Sequence, residues 1–145
     1  MANSHVLRLQ MEKQIQIMVI VTMIGLAVAA YYIMHSGFGN SSYGNVDVRE
    51  ARNLLREKGS LMVLDVRTIS EYDGGHLQGA INIPVEVLTQ YLSQLNKNDE
   101  LLVYCRTGNR STTAVGILRE NGYDRIYHMD GGIEAWDSAK FPIVS

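Results

Sequence analysis

The stretch Leu101-Leu102-Val103-Tyr104-Cys105-Arg106-Thr107-Gly108-Asn109-Arg110-Ser111 decides how this chain is read. Its first four residues form an apolar run without polar alternation, the pattern of a strand buried on both faces. Cys105, the single cysteine of the chain, closes that run and opens a short basic loop. A helical pattern begins at Ser111, with Ala114, Ile117 and Leu118 on one face. Backbone N–H groups at a helix N-terminus attract anions. A thiol placed there beside Arg106 and Arg110 is expected to have a lowered pKa and to be partly ionised near neutrality. A lone cysteine also serves as a small apolar filler. The two arginines, and a Gly108 able to take positive φ, point instead to a nucleophile.

The same alternation of strand and helix extends on both sides. Asp47 is expected to cap a helix carrying Val48, Ala51, Leu54 and Leu55, with Glu50 completing a capping box, and Lys58-Gly59 to end it. Leu61–Leu64 reads as a buried strand ending at Asp65, and Ile81-Asn82-Ile83 as a shorter one. Pro84 suits a first helical turn, followed by an apolar stripe of Val85, Leu88, Tyr91, Leu92 and Leu95. Gly122 ends the helix after the cysteine loop. Ile126–Met129 is a further strand, Gly131-Gly132 a tight turn and Ile133–Trp136 a short helix. Strands apolar on both faces, separated by helices, predict a mostly parallel sheet covered on both sides. In such sheets sites form beyond the carboxyl ends of the strands, where Asp65 and Cys105 lie.

The first third of the chain differs. Ile15–Met34 is a run of twenty residues in which Gln16 and Thr22 are the clearly polar ones, and no Asp, Glu, Lys or Arg occurs between Lys13 and Asp47. Roughly twenty apolar residues span a bilayer as a helix. Tyr31 and Tyr32 lie near one end, where interfacial aromatics gather. The basic start and Ala27-Val28-Ala29 also fit a secretory signal, although the apolar stretch runs on past that site. The reading adopted is an uncleaved single-pass anchor through residues 15–34, its contact being with the lipid bilayer. Arg8 and Lys13 precede the span, and the positive-inside tendency then favours a domain outside the cytoplasm. Gly, Ser and Asn dominate 36–44, a flexible linker. The domains are thus a transmembrane anchor over 1–35, a linker over 36–44 and one globular domain over 45–145.

A net charge of −2 offers no nucleic-acid footprint. His5, His35, His76 and His128 are scattered without ligand spacing, so neither a metal nor another cofactor is expected.

Several separated motifs make the globular part resemble the rhodanese family of sulfurtransferases, from about Val46 to Val144. They are Leu64-Asp65-Val66-Arg67 with Glu71-Tyr72, the segment Gly75-His76-Leu77-Gln78-Gly79-Ala80-Ile81-Asn82-Ile83-Pro84, the loop Cys105–Ser111, and Asp130-Gly131-Gly132 followed by Trp136. The resemblance implies a rhodanese-like α/β fold. It also implies transfer of a sulfane sulfur from thiosulfate or a similar donor, through a Cys105 persulfide, to cyanide or a thiol. In that reading Cys105 and Arg110 are catalytic. Arg106, Thr107, Gly108, Asn109 and Arg110 bind substrate, and Asp65 with Arg67 forms a supporting ion pair. Glu71 and His76 read as structural, and Trp136 as core. Relatives on this scaffold include cysteine phosphatases and arsenate reductases, whose loops usually enclose five residues where Cys105 and Arg110 enclose four. A non-enzymatic persulfide carrier or binding module is the remaining alternative.

Overall fold

The computed structural model describes residues 2–36 and 43–145, with side chains over 7–31 and 43–145. It divides into two units, Met1–Ser42 and Tyr43–Ser145. The described part of the first is one helix, α1 (Ala2–Ser36), in which Leu7–Tyr31 has a mean hydropathy of 1.9 and is unburied. Its apolar residues lie on every side, so it has no face suited to packing on a soluble core. The Thr22 hydroxyl donates to the Met18 and Val19 carbonyls, which satisfies it within the helix. Such a helix is long and apolar enough to cross a membrane, a property that a secretory signal shares. The linker expected over 36–44 falls mainly on 37–42, outside the described residues; Gly44 belongs to a strand.

The second unit alternates β1 (Gly44–Val46), α2 (Val48–Glu57), β2 (Met62–Asp65), α3 (Ile69–Asp73), β3 (Ala80–Asn82), α4 (Leu88–Tyr91), β4 (Leu101–Tyr104), α5 (Asn109–Glu120), β5 (Ile126–Met129) and α6 (Gly132–Ser138). A 3₁₀ turn, Leu92–Gln94, continues α4. The five strands are all parallel, in the order β1-β5-β4-β2-β3. This is the mostly parallel α/β sheet expected from the both-face apolar runs.

Residue alternation along each strand divides the core in two. Leu64, Leu101, Val103 and Ile126 face one side and pack with Leu88, Ala114, Val115 and Leu118 of α4 and α5. Val63, Leu102, Tyr104, Tyr127 and Met129 face the other and pack with Ala51, Leu54, Ile133 and Trp136 of α2 and α6. Both faces are therefore covered, and Trp136 is core as expected.

Local signals account for most boundaries. The Asp47 carboxylate accepts from the N–H groups of Arg49 and Glu50 and caps α2, but the reciprocal capping box forms one helix later, between Thr68 and Glu71 at the start of α3. That helix and β1 are absent from the sequence reading. Pro84 does not open α4. Pro84–Val87 is a turn, the helix begins at Leu88, and Tyr91 points away from the stripe at 41% exposure.

Candidate active site

The register Leu64↔Val103 and Asp65↔Tyr104 sets the ends of β2 and β4 side by side. Cys105 follows β4 at once. Gly108 then takes φ 110°, ψ −26°, which turns the chain into α5 two residues before the predicted start. Arg110 and Ser111 consequently lie in the first helical turn. Gly108 has no side chain with which to cap α5, and none caps it. The Cys105 sulfur occupies that role: Gly108 N–H donates to Sγ at 3.1 Å, and Ser111 Oγ donates at 3.4 Å.

Cys105 is 1% exposed, so a reactant must enter the loop to meet the sulfur. Burial pushes its thiol up. The Ser111 hydroxyl and the backbone N–H groups of Ser111, Gly108 and Thr107 outweigh that and hold it below the ordinary thiol value. The direction agrees with expectation, and the N–H groups at the start of α5 act as expected; the Ser111 hydroxyl adds to them. The arginines make their hydrogen bonds to carboxylates: Arg106 Nε donates to Glu134 at 2.6 Å on the surface, and Arg110 binds Glu71 through both terminal nitrogens at 2.7 Å while its charge still acts on Cys105. Thr107 and Asn109 are exposed at the loop rim, and Gly108 is buried beneath it.

Glu71 reaches this site from α3, 39 positions before Arg110. The Arg110 guanidinium, assisted by Thr68 against burial, pulls its carboxyl down to about 2. A folded-state value depressed from 4.5 means the pair stabilises the fold fully above pH 4.5 and loses that contribution as pH falls through about 2. With both side chains nearly a third exposed, the discounted contribution is about 1 kcal/mol. Glu71→Gln should cost about that much at pH 7. It should also flatten the acid limb of the stability curve, as followed by urea unfolding between pH 2 and pH 7, about the depressed value. An unchanged acid limb would show that the pair does not stabilise the fold.

Asp65 and Arg67 form the expected ion pair, at 2.6 Å and almost fully buried. Asp65 shares its strand face with Val63, on the α2 and α6 side of the sheet, whereas the cysteine packs on the α5 side. Arg67 Nη2 also donates to Gly75 O at 2.7 Å, and Asn82 Nδ2 donates to the carbonyls of both Asp65 and Arg67. The pair thus fastens the segment after β2 to the segment before β3. A cleft beside the loop, between α3 and α6, is lined by Arg67, Glu71, Arg106, Ile133 and Glu134 among others.

The Gly131-Gly132 turn buttresses the loop from behind. Ile133 N–H donates to Cys105 O at 2.9 Å and Glu134 N–H to Arg106 O at 3.1 Å. Gly132 has φ 59°, and a Cβ there would collide with the carbonyl oxygens of Cys105 and Arg106. Gly132→Ala should cost about 1–3 kcal/mol and broaden the loop. Thermal unfolding reads this cost, and an unchanged Tm would show the contact to be slack.

The family model for the rhodanese-like domain matches residues 47–139. The chain belongs to that family. It is 32% identical over 99 residues to the thiosulfate sulfurtransferase GlpE of Shewanella oneidensis, covering 68% of this chain and 97% of that one. It is 30% identical over 100 residues to a sulfurtransferase of Allochromatium vinosum, covering 69% and 94%. A putative sulfur carrier protein of Bacillus subtilis, YrkF, is 29% identical over 102 residues, covering 70% of this chain and 55% of that longer protein. Among solved structures, a rhodanese-related protein from Thermoplasma volcanium superposes with a TM-score of 0.64 at 30% identity, over 70% of this chain and 98% of that one. These similarities concern the second unit.

Proposed function

We propose that this protein is a membrane-anchored sulfurtransferase that carries a sulfane sulfur on Cys105. The observation that carries the reading is the sulfur itself, held by Gly108 N–H and Ser111 Oγ–H with its thiol below the ordinary value. The Cys105 thiolate attacks the outer sulfur of thiosulfate or a similar donor. The bond between the two donor sulfurs breaks, and sulfite leaves with its electron pair. Cys105 is left as a persulfide, whose outer anionic sulfur suits the loop's preorganised N–H groups. Cyanide or a thiolate acceptor then attacks that outer sulfur and departs as thiocyanate or a new persulfide, regenerating the Cys105 thiolate.

The loop Thr107–Asn109 surrounds the incoming sulfur, and Arg110, aligned by Glu71, presents its remaining N–H groups to the donor's oxyanion. Arg106 at the rim attracts the anion, and Asp65 with Arg67 supports the scaffold. Four residues between Cys105 and Arg110 fit one sulfur atom better than a phosphoryl group. In this reading α1 is the anchor, the segment after it a tether ending before Gly44, and residues 45–145 the catalytic domain, outside the cytoplasm.

Incubating the full chain, purified in detergent, with thiosulfate should add one sulfur atom to its intact mass, and cyanide should remove it. No gain, together with hydrolysis of an aryl phosphate, would overturn the reading in favour of a phosphatase. The similarity to a protein named a sulfur carrier favours a second reading, a carrier that loads sulfur but turns over small acceptors poorly. Steady-state turnover with cyanide separates the two.

A further inference from the structure

His128 is a polar residue in the middle of β5, only 6% exposed and on the sheet face that carries α5. Nothing in the sulfur chemistry above uses it. Its Nε2 lies 2.8 Å from Ser111 Oγ and 3.3 Å from Gly108 O, and its Nδ1 lies 3.1 Å from Asn45 Oδ1 in β1. Ser111 Oγ is in turn 3.4 Å from Cys105 Sγ. A chain of polar contacts therefore runs from an edge strand to the sulfur.

Proton counting gives this chain a direction. Ser111 has one hydroxyl proton and three neighbours that could accept it: Gly108 O at 2.9 Å, His128 Nε2 and Cys105 Sγ. Gly108 O already accepts from Thr112 N–H at 3.0 Å and from Thr112 Oγ1 at 2.9 Å, which fills its two lone pairs. If Nε2 were bare, Ser111 would donate to it, over the shortest of the three contacts, and the sulfur would lose its hydroxyl donor. If Nε2 carries the proton, it donates to Ser111 Oγ, and the hydroxyl proton turns to Sγ. Gly108 O, its lone pairs already engaged by Thr112, still turns a partial negative charge toward Nε2 at 3.3 Å, which favours an N–H there over a bare lone pair. Asn45 does not choose, because its amide can serve either form of Nδ1 by rotating.

We infer that His128 is a positioning residue for Cys105: by donating from Nε2 to Ser111 it commits the Ser111 hydroxyl to the cysteine sulfur. The step that this serves rests on the sulfurtransfer reading. The thiolate exists before attack on the donor and again when the persulfide gives up its outer sulfur, so one fixed donor assists both halves of the cycle.

Two polar variants separate reach from bulk. In His128→Asn the shorter side chain keeps a partner for Asn45 and no longer reaches Ser111. In His128→Gln the amide nitrogen comes close to the former Nε2 and can donate. Full chains in detergent are reacted with iodoacetamide, a neutral probe of the thiolate, and with thiosulfate. His128→Asn and Ser111→Ala should each slow both reactions about tenfold, and His128→Gln should restore them to within about twofold of the parent. Adding His128→Asn to Ser111→Ala should cost nothing further, because the histidine acts through the serine. Equal slowing by Asn in both serine backgrounds, or no slowing by Asn alone, would overturn the inference. Alkylation reads the thiolate whether or not sulfur moves. A parent chain inert to thiosulfate that still shows the alkylation pattern would therefore sink the sulfurtransfer reading and leave His128 in its role.

Discussion

A Cys105→Ala chain is expected to take up no sulfur from thiosulfate, with transfer to cyanide falling by about 10³-fold or more. The substitution removes one heavy atom from a residue of the core cluster that includes Val103, Ala114 and Val115, so the fold should survive it at a cost of about 1 kcal/mol. Gly108 N–H and Ser111 Oγ–H lose their shared acceptor, and nothing else in the loop can form a bond to sulfur. Cys105→Ser sharpens the test, because it restores an acceptor of similar size to the same donors. A hydroxyl there remains un-ionised, so Cys105→Ser should be as inactive as the alanine variant while unfolding at nearly the parent temperature. Intact mass and thiocyanate formation on the same preparations give the answer. Sulfur uptake in either variant would remove Cys105 from the proposed mechanism.

The largest effect on stability is expected at Arg67. Asp65 is wholly buried and accepts from Arg67 N at 2.9 Å, Nε at 3.0 Å and Nη2 at 2.6 Å. Arg67→Met fills much of the same volume but strands a carboxylate in the core and leaves Gly75 O without its donor. Breaking a buried pair from one side costs about 3–5 kcal/mol, because the remaining charge has lost its counter-charge and keeps only neutral donors such as the backbone N–H of position 67. Adding Asp65→Asn to Arg67→Met removes that charge and should recover part of the loss. Urea unfolding followed by fluorescence of Trp136, the single tryptophan, measures both. A loss below about 1 kcal/mol in Arg67→Met would show that the guanidinium is not what holds Asp65 in the core.

How much of this was legible in the chain varies from element to element. β4 and β5 occupy Leu101–Tyr104 and Ile126–Met129, the residues read as strands, because both-face apolar runs have few other uses in a short domain. β1 escaped notice because Gly44-Asn45-Val46 carries turn-forming residues and becomes a strand only by pairing with β5. α3 was missed although Thr68-x-x-Glu71 is a local capping signal that could have been found. α5 starts before Ser111 because Gly108 turns the chain into the helix, whereas the apolar spacing begins only after that turn.

The sequence by itself determined the α/β class, the apolar N-terminal helix, the family motifs and the thiol at the end of a central strand. Each depends on residues adjacent in the chain or on their spacing along one element, which periodicity and motif order report. Tertiary structure alone decided which distant groups meet the residues of the cysteine loop. Glu71 takes Arg110 from across 39 positions, and Glu134 takes Arg106 from across 28. His128 reaches Ser111 from a neighbouring strand, and Gly132 closes against the loop from a different turn. A parallel sheet brings distant strand ends together at one edge, and the partners found there follow from strand order and register, which no local pattern encodes.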